Sequence, residues 1–357
     1  MRRFIAVLLV AAVWSARALA ADYQFETVAE GLDGPWSVAF LPGGDLLVTE
    51  RKGQLRRVTH DGVIGEPVRG VPPVFFAGQG GLHDVVLHPQ FERNRRIYLS
   101  YAEGTADDNG TAVARALLTS AALENLEVIY RVSPRKDTPV HYGARMAFMP
   151  DGTLLITTGD GFDYREAAQD IGSGLGKVIR INDDGTPPAD NPFAESPFVW
   201  SYGHRNPQGL AISTDGTVFL HEHGPRGGDE VNVVRRGANY GWPAITYGVD
   251  YNGAYVSPFH EWAGMEQPLH YWDPSIAPSG LAVYEGDMFP EWRGSLLVGA
   301  LVDREVRRVA ANTDSVEEES LFSELGARVR DVRVGPDGAV YLALEGQPGK
   351  VVRVTRN

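Results

Sequence analysis

The chain has no cysteine in its 357 residues. Disulfides are therefore excluded, and a packed core must hold the fold together, which a chain of this length can supply. Helical periodicity is nearly absent; Ser120–Val128 is the best short stretch for a helix. Basic residues are scarce, with 33 Lys and Arg against 46 Asp and Glu, a net charge of −13. Such an acidic chain is repelled by phosphates, so nucleic acid is not an expected partner. Beyond the first twenty residues no apolar run is long enough to span a membrane.

Residues 1–20 are a different object. Arg2 and Arg3 form a basic start, Phe4–Trp14 an apolar run, and Ala18-Leu19-Ala20 a small-residue cleavage motif. The pattern predicts a secretory signal peptide, with export by the general or the twin-arginine route, and a periplasmic or secreted protein. Cleavage removes Arg2, Arg3 and Arg17 and no acids, which takes the charge from −13 to −16. Residues 21–357 are then expected to form a single domain.

What the chain has in abundance is turns: 41 Gly and 23 Pro. One phrase recurs, a Pro/Asp/Gly turn followed by a short β-type run. It begins at Pro42-Gly43-Gly44-Asp45, and returns at Pro89–Arg96, Pro150-Asp151-Gly152, Asp215-Gly216, Arg293-Gly294 and Pro336-Asp337-Gly338. Apolar strands precede most copies and follow several. Strand, turn, strand, loop, strand is a meander, and six radially repeated meanders predict an all-β, six-bladed β-propeller. A β-sandwich, or two smaller barrels, is the competing architecture. Long insertions near 101–115, 158–175, 183–199 and 223–275 are expected to become loops on one face, where a site is built.

Three stretches are too polar and too rich in glycine for blade interiors: Val140–Arg145, Tyr202–Gly209 and His221–Glu230, the last followed by Asn239-Tyr240-Gly241-Trp242-Pro243. His221 and His223 share a strand face and permit a zinc reading. The backbone at Gly224-Pro225, with Asp229 and Glu230 behind it, offers hard oxygens and suits calcium better. Trp242, Tyr247, Tyr251, Tyr255, Trp262 and Trp272 crowd the longest insertion, either to stack sugars or to pack the loop on itself.

These stretches resemble the glucose/sorbosone dehydrogenase family, in particular its bacterial aldose sugar dehydrogenases. The matching segments run in order along the whole mature chain: Gly31–Trp36, Gly78–Leu82, Arg205–Leu210, His223-Gly224-Pro225, Asn239–Pro243, Ala277–Gly280 and Arg328–Val332. The resemblance implies the quinone cofactor PQQ, whose three carboxylates suit planar guanidinium groups. Arg205, Arg328 and Arg330 fall at the family's arginine positions, and Gln79 and Asn206 at its neutral hydrogen-bonding positions. The carbonyls of Gly224 and Pro225 match the cofactor calcium, and Glu230, Tyr240 and Asp250 a second, structural Ca2+. His141 matches the general base, oriented by Asp160, for oxidation of aldose sugars to lactones.

Two departures stand out. Val302 occupies the place of a usual lysine, with Arg304 nearby, and Leu344-Glu345 that of a threonine-aspartate pair. Two other functions therefore stay open. One is a calcium lactonase with Glu50, Asn206 and Asp229 as ligands; the other is a non-catalytic periplasmic binding propeller. An external electron acceptor, such as a periplasmic cytochrome of basic surface, and a monomer or homodimer complete the expectations.

Overall fold

The computed structural model describes residues 23–311 and 316–357. The expected signal peptide, residues 1–20, lies outside the described residues. Six four-stranded antiparallel sheets stand in a ring, and the chain is a six-bladed β-propeller. The innermost strands of blades 1 to 6 are Pro35–Phe40, Leu82–Leu87, Met146–Phe148, Pro207–Ile212, Pro278–Val283 and Arg328–Val334. The recurrent turns feed the second strands, Leu46–Glu50, Arg96–Gly104, Leu154–Thr158, Val218–Glu222, Leu296–Ala300 and Val340–Glu345.

The second strands explain why the repeat is apolar throughout. Each sheet is packed on both faces, so a strand there has no solvent side. Leu46, Leu47 and Val48 are all buried. Because side chains alternate, Leu47 packs into the seam between blades 1 and 2, while Leu46 and Val48 pack into the seam between blades 6 and 1. The core is thus six seams, one between each pair of neighbouring blades. Each fully buried leucine or valine contributes roughly 1.5–3 kcal/mol.

Blade 6 is composite. Its outermost strand is Tyr23–Leu32, from the start of the described chain, paired with Gly349–Arg356 so that Tyr23 faces Arg356. Two sequence expectations are corrected. Ser120–Val128 is not helical; Leu123–Arg131 is the outer strand of blade 2. Residues 101–115 are not a loop inserted on one face but the end of a long hairpin, Arg96–Gly104 against Asn109–Leu118. β-Branched and aromatic residues on this hairpin favour the extended chain.

The inner strands shape the channel. In five of the six, the pairing register shifts near the start, at Trp36, at His83-Asp84, at Gln208, at Ser279-Gly280 and at Arg330. Such bulges re-aim groups towards the axis. There they meet the buried side chain of Arg145, which immediately precedes the inner strand of blade 3. Its guanidinium lies 4.0 Å over the Trp36 ring and 2.8 Å from Asp331, and Asp84 is 3.8 Å away. It also donates to the carbonyls of Gln208 at 2.7 Å, Arg330 at 3.2 Å and Ser279 at 3.4 Å. One arginine therefore touches every other blade, and its charge is matched by two buried carboxylates.

Candidate active site

His141 precedes the inner strand of blade 3 by five residues and has a left-handed backbone, φ 54°. Phe162 and Ala277, at φ 70° and 54°, share this sparsely populated conformation. Clustered strain of this kind is held by the surrounding structure and marks functional ground. Glycine is required at 159, because a Cβ there would lie 2.3 Å from the His141 carbonyl oxygen.

The His141 side chain is almost wholly buried. Its Nδ1 is 2.7 Å from Asp160 Oδ1, and its backbone N–H donates to Gln79 Oε1 at 2.8 Å. Asp160 is held twice more: Phe162 N–H donates to Oδ1 and the Trp242 indole to Oδ2, each at 2.8 Å. Burial lowers the His141 pKa, and Asp160 only partly opposes that. For Asp160 burial acts upwards, but His141 and Arg205 prevail and its pKa is lowered. The pair is a neutral imidazole beside a carboxylate, with Nδ1 committed and Nε2 left to accept a proton.

Arg205 enters from the turn before blade 4. Its backbone N–H is taken by Glu222, which also holds His204 Nδ1 at 2.8 Å. Its carbonyl accepts from Asp160 N–H at 2.8 Å, tying the arginine to the histidine's partner. Nη1 donates to the carbonyls of Gly224 at 2.7 Å and His223 at 3.1 Å, and the guanidinium lies 5.2 Å over the Trp242 ring. Nε is buried without a partner.

A cavity of about 800 Å³ opens beside this group on the channel axis, lined by Gln79, Gly143, Asn206, Gln208, Arg328 and Arg330, among others. The side-chain oxygens of Gln79 and Asn206 already accept backbone N–H groups, of His141 and Gly143, so each amide nitrogen is left for a ligand. Arg328 and Arg330 both pair with Glu345, at 2.8 and 2.7 Å. Val302 lines the cavity and is 57% exposed, so no cation stands at the position where the family often has a lysine. Leu344 is buried in the seam between blades 5 and 6.

The remaining sequence candidates are more scattered. Pro225 lines an outer cleft with Asp250, and Asp250 lies 3.5 Å from Arg165. Glu230 lines a separate small cleft with Glu222 and Gly224. Burial and the charges of Glu222 and Asp229 push its carboxyl well above the usual range. Tyr240 is buried, stacks on His204 at 4.7 Å and donates from its hydroxyl to the Val233 carbonyl. No interaction joins Glu230, Tyr240 and Asp250. Nor do His221 and His223 converge: each ring faces a backbone carbonyl, of Gly280 and Pro278. The lactonase set is also dispersed, with Glu50 paired to Arg56 and Asp229 accepting from Gly224 and Ala277 N–H groups. Among the described residues no group of three or more His, Cys, Asp or Glu side chains is placed to hold a metal ion.

Sequence reasoning missed Trp242 as a partner of Asp160, Glu222 as the anchor of the 204–205 turn, and Phe162, whose ring meets His141 edge-on at 5.2 Å. The contact to Trp242 joins blades 3 and 4, while Glu222 reaches from the second strand of blade 4 to the turn that leads into its own inner strand, and only the dense Asn239–Pro243 motif hinted at the first.

Residues 32–353 match the family model described as Glucose / Sorbosone dehydrogenase. The chain is 40% identical to the aldose sugar dehydrogenase YliI of Escherichia coli (strain K12), over 98% of this chain and 96% of that protein. It is 26% identical to quinoprotein glucose dehydrogenase B of Acinetobacter calcoaceticus, over 94% of this chain and 88% of that one. The solved PQQ-bound form of aldose sugar dehydrogenase from Streptomyces coelicolor superposes with a TM-score of 0.78 at 30% identity, covering 95% of this chain and 99% of the other.

Proposed function

The chain belongs to the glucose/sorbosone dehydrogenase family, and from that premise we propose that it is a PQQ-dependent dehydrogenase that oxidises aldose sugars at the anomeric carbon to lactones. The observation that carries this reading is the His141–Asp160 pair at 2.7 Å beside an arginine-lined axial cavity.

The cavity suits PQQ by its donor set. Arg328 and Arg330 present guanidinium groups to carboxylates, and the amide nitrogens of Gln79 and Asn206 are uncommitted. Arg205, which lines the adjoining clefts and not this cavity, keeps a buried Nε without a partner. Bound there, PQQ supplies the two-electron acceptor for the hydride that leaves the anomeric carbon.

The protein's own part is proton handling and orientation. His141 Nε2 takes the proton of the anomeric hydroxyl, and Asp160 keeps Nδ1 protonated and stabilises the imidazolium that forms. Trp242 and the Phe162 N–H fix the carboxylate, so the imidazole does not have to be oriented at the moment of transfer. Arg205, tied to Asp160 through the backbone, brings a positive charge near the His141–Asp160 pair.

Calcium is proposed at the carbonyls of Gly224 and Pro225. Gly224 O already accepts Arg205 Nη1 at 2.7 Å, so an ion there shares that oxygen with the guanidinium. A second ion, expected at Glu230, Tyr240 and Asp250, would relieve the crowding of Glu230 with Glu222 and Asp229, although the three residues do not converge in this structure. Export through residues 1–20, folding of residues 21–357 as one domain, and electron transfer to a basic periplasmic acceptor such as a cytochrome belong to the same reading.

Reconstitution tests it. The purified chain is given PQQ, calcium and glucose with a reducible dye, omitting each in turn. Dye reduction that needs PQQ is the expected result. Absence of turnover with several aldoses, together with no spectral change on adding PQQ, refutes the reading.

A further inference from the structure

The segment that leads from the outer strand of blade 2 to His141 carries a charge that the proton transfer described above does not use. Lys136 is only 2% exposed. Its backbone N–H and carbonyl each pair with Asn109, at 2.8 Å, which fixes it at the start of the third strand of blade 2. Nζ donates to Asn109 Oδ1 at 3.1 Å and to the Thr138 carbonyl, and it lies 3.7 Å over the Tyr142 ring. The Tyr142 hydroxyl donates to the same Asn109 oxygen at 2.6 Å. All these partners are neutral, and among the described residues no carboxylate forms an ion pair with the ammonium. A buried cation without a counter-ion of its own costs stability, which an uncharged chain of the same length would not.

The place of this cation relates it to the catalytic pair. Its stem lies against Gly161, the residue that follows Asp160; a Cβ at 161 would come within 2.6 Å of Lys136 Cδ. Thr138 Oγ1 donates to the Gly161 carbonyl at 2.6 Å and locks the two segments together. Burial pushes the Lys136 ammonium down to about 7, and Asp160, ahead of Asp137, only partly opposes that. His141 is held below 6.5, so Lys136 is a full cation wherever the imidazole takes up a proton.

The other groups around the pair leave this role open. Arg205 opposes the imidazolium from blade 4, as Lys136 does from the blade 2 side. His223 is neutral, because burial holds it at about 3. Arg135 turns away to Glu103 at 3.0 Å and Asp108 at 3.2 Å, and Asp137 is taken by the Tyr164 hydroxyl at 2.8 Å. Tyr142 and Tyr164 both titrate above the ordinary tyrosine value and carry no charge here.

We propose that Lys136 is a positioning residue for His141: its buried ammonium, braced on Gly161 beside Asp160, opposes protonation of the imidazole and so sets the lowest pH at which the pair still acts as a base. The last clause rests on the dehydrogenase reading; the effect on the imidazole does not.

The test separates the two. The cofactor-free chain, made with isotope-labelled histidine, is titrated by NMR, and His141→Ala identifies the His141 signal among the nine histidines. Lys136→Met removes both the charge and the hydrogen bonds, Lys136→Gln keeps a hydrogen-bonding head without the charge, and Lys136→Arg keeps the charge. The His141 midpoint is expected to rise by about one pH unit in Lys136→Met and Lys136→Gln, and to stay in place in Lys136→Arg. After reconstitution with PQQ and calcium, the acid limb of kcat/KM on glucose moves up by the same amount. If Lys136→Met does not fold, Lys136→Gln carries the comparison. A midpoint unchanged in the uncharged variants overturns the proposal. So does a shift in Lys136→Met that is absent from Lys136→Gln, which would make Lys136 a hydrogen-bonding brace. A shifted midpoint without turnover of any aldose leaves Lys136 in its role and refutes the dehydrogenase. Turnover whose acid limb is the same in every variant, with an unmoved midpoint, does the reverse.

Discussion

Trp242 donates its indole N–H to Asp160 Oδ2 at 2.8 Å, on the oxygen opposite the one that holds His141. The carboxylate is thereby clamped between two blades and cannot rotate away from the imidazole. Trp242→Phe keeps the ring's packing and removes the donor. A hydrogen bond to a charged group is worth about 1.5–3 kcal/mol, so kcat on glucose should fall roughly ten- to a hundredfold. PQQ affinity, followed by absorbance, should change little. Unaltered kcat would show that Asp160 is held well enough without the indole.

The lowered pKa of His141 sets a pH dependence. Burial is its largest cause, so the imidazole stays neutral below the usual histidine value of 6.5. Activity should hold its plateau at pH 6.5 and decline only at lower pH, as read from kcat/KM between pH 4 and 8. The sign for stability is the same: the unfolded chain protonates first, so the contribution of neutral His141 is fully present above about pH 6.5 and is lost as the pH falls through the folded value. Substituting His141→Ala should cost about 10²–10⁴ in kcat and remove the acid limb, with cofactor binding retained.

Arg145 is expected to be a stability residue, because its side chain reaches all the other blades. Arg145→Met leaves Asp84 and Asp331 buried at the axis, where both are essentially inaccessible, with only Arg333 to neutralise them. Breaking a buried pair on one side costs about 3–5 kcal/mol. Urea denaturation should report a loss of that size, and Arg145→Lys should not restore it, since a point charge cannot serve the same carbonyls and carboxylates. A loss below about 1 kcal/mol would count against the hub.

Glu345 pairs with the two arginines that are proposed to hold cofactor carboxylates. Its pKa is lowered although burial acts upwards, because Arg330 and Arg328 outweigh that burial. As a carboxylate it competes for the same guanidinium groups. Glu345→Gln should therefore tighten PQQ binding severalfold in a spectral titration of the cofactor-free protein. Weaker binding would assign Glu345 the task of aligning the arginines instead.

The ring was legible in the sequence because its signal is local. A second strand such as Leu46-Leu47-Val48 is apolar on both faces, directly follows its own turn and recurs six times. The strand that completes blade 6 was not legible. Tyr23–Leu32 exposes Gln24, Glu26 and Glu30, and its partner lies more than three hundred residues away. The Ser120–Val128 stretch misled for a related reason: Leu123 and Val128 are apolar because an outer strand packs against its blade, not because a helix turns there. At the site, His141, Asp160 and Arg205 came from motifs, and the structure brings them together. Trp242 against Asp160, and Arg145 against five other blades, are pairings between distant residues that no local pattern encodes.

The composite blade also fixes an order of events. Ribosomes make Tyr23–Leu32 more than three hundred residues before its partner Gly349–Arg356. Until those eight residues exist, the earlier ten have no ladder to join, and the seams on either side of blade 6 lack the side chains that Gly349–Arg356 supplies. Closure of the ring therefore waits for Gly349–Arg356, and a messenger truncated before it yields an arc, not a slightly shorter ring.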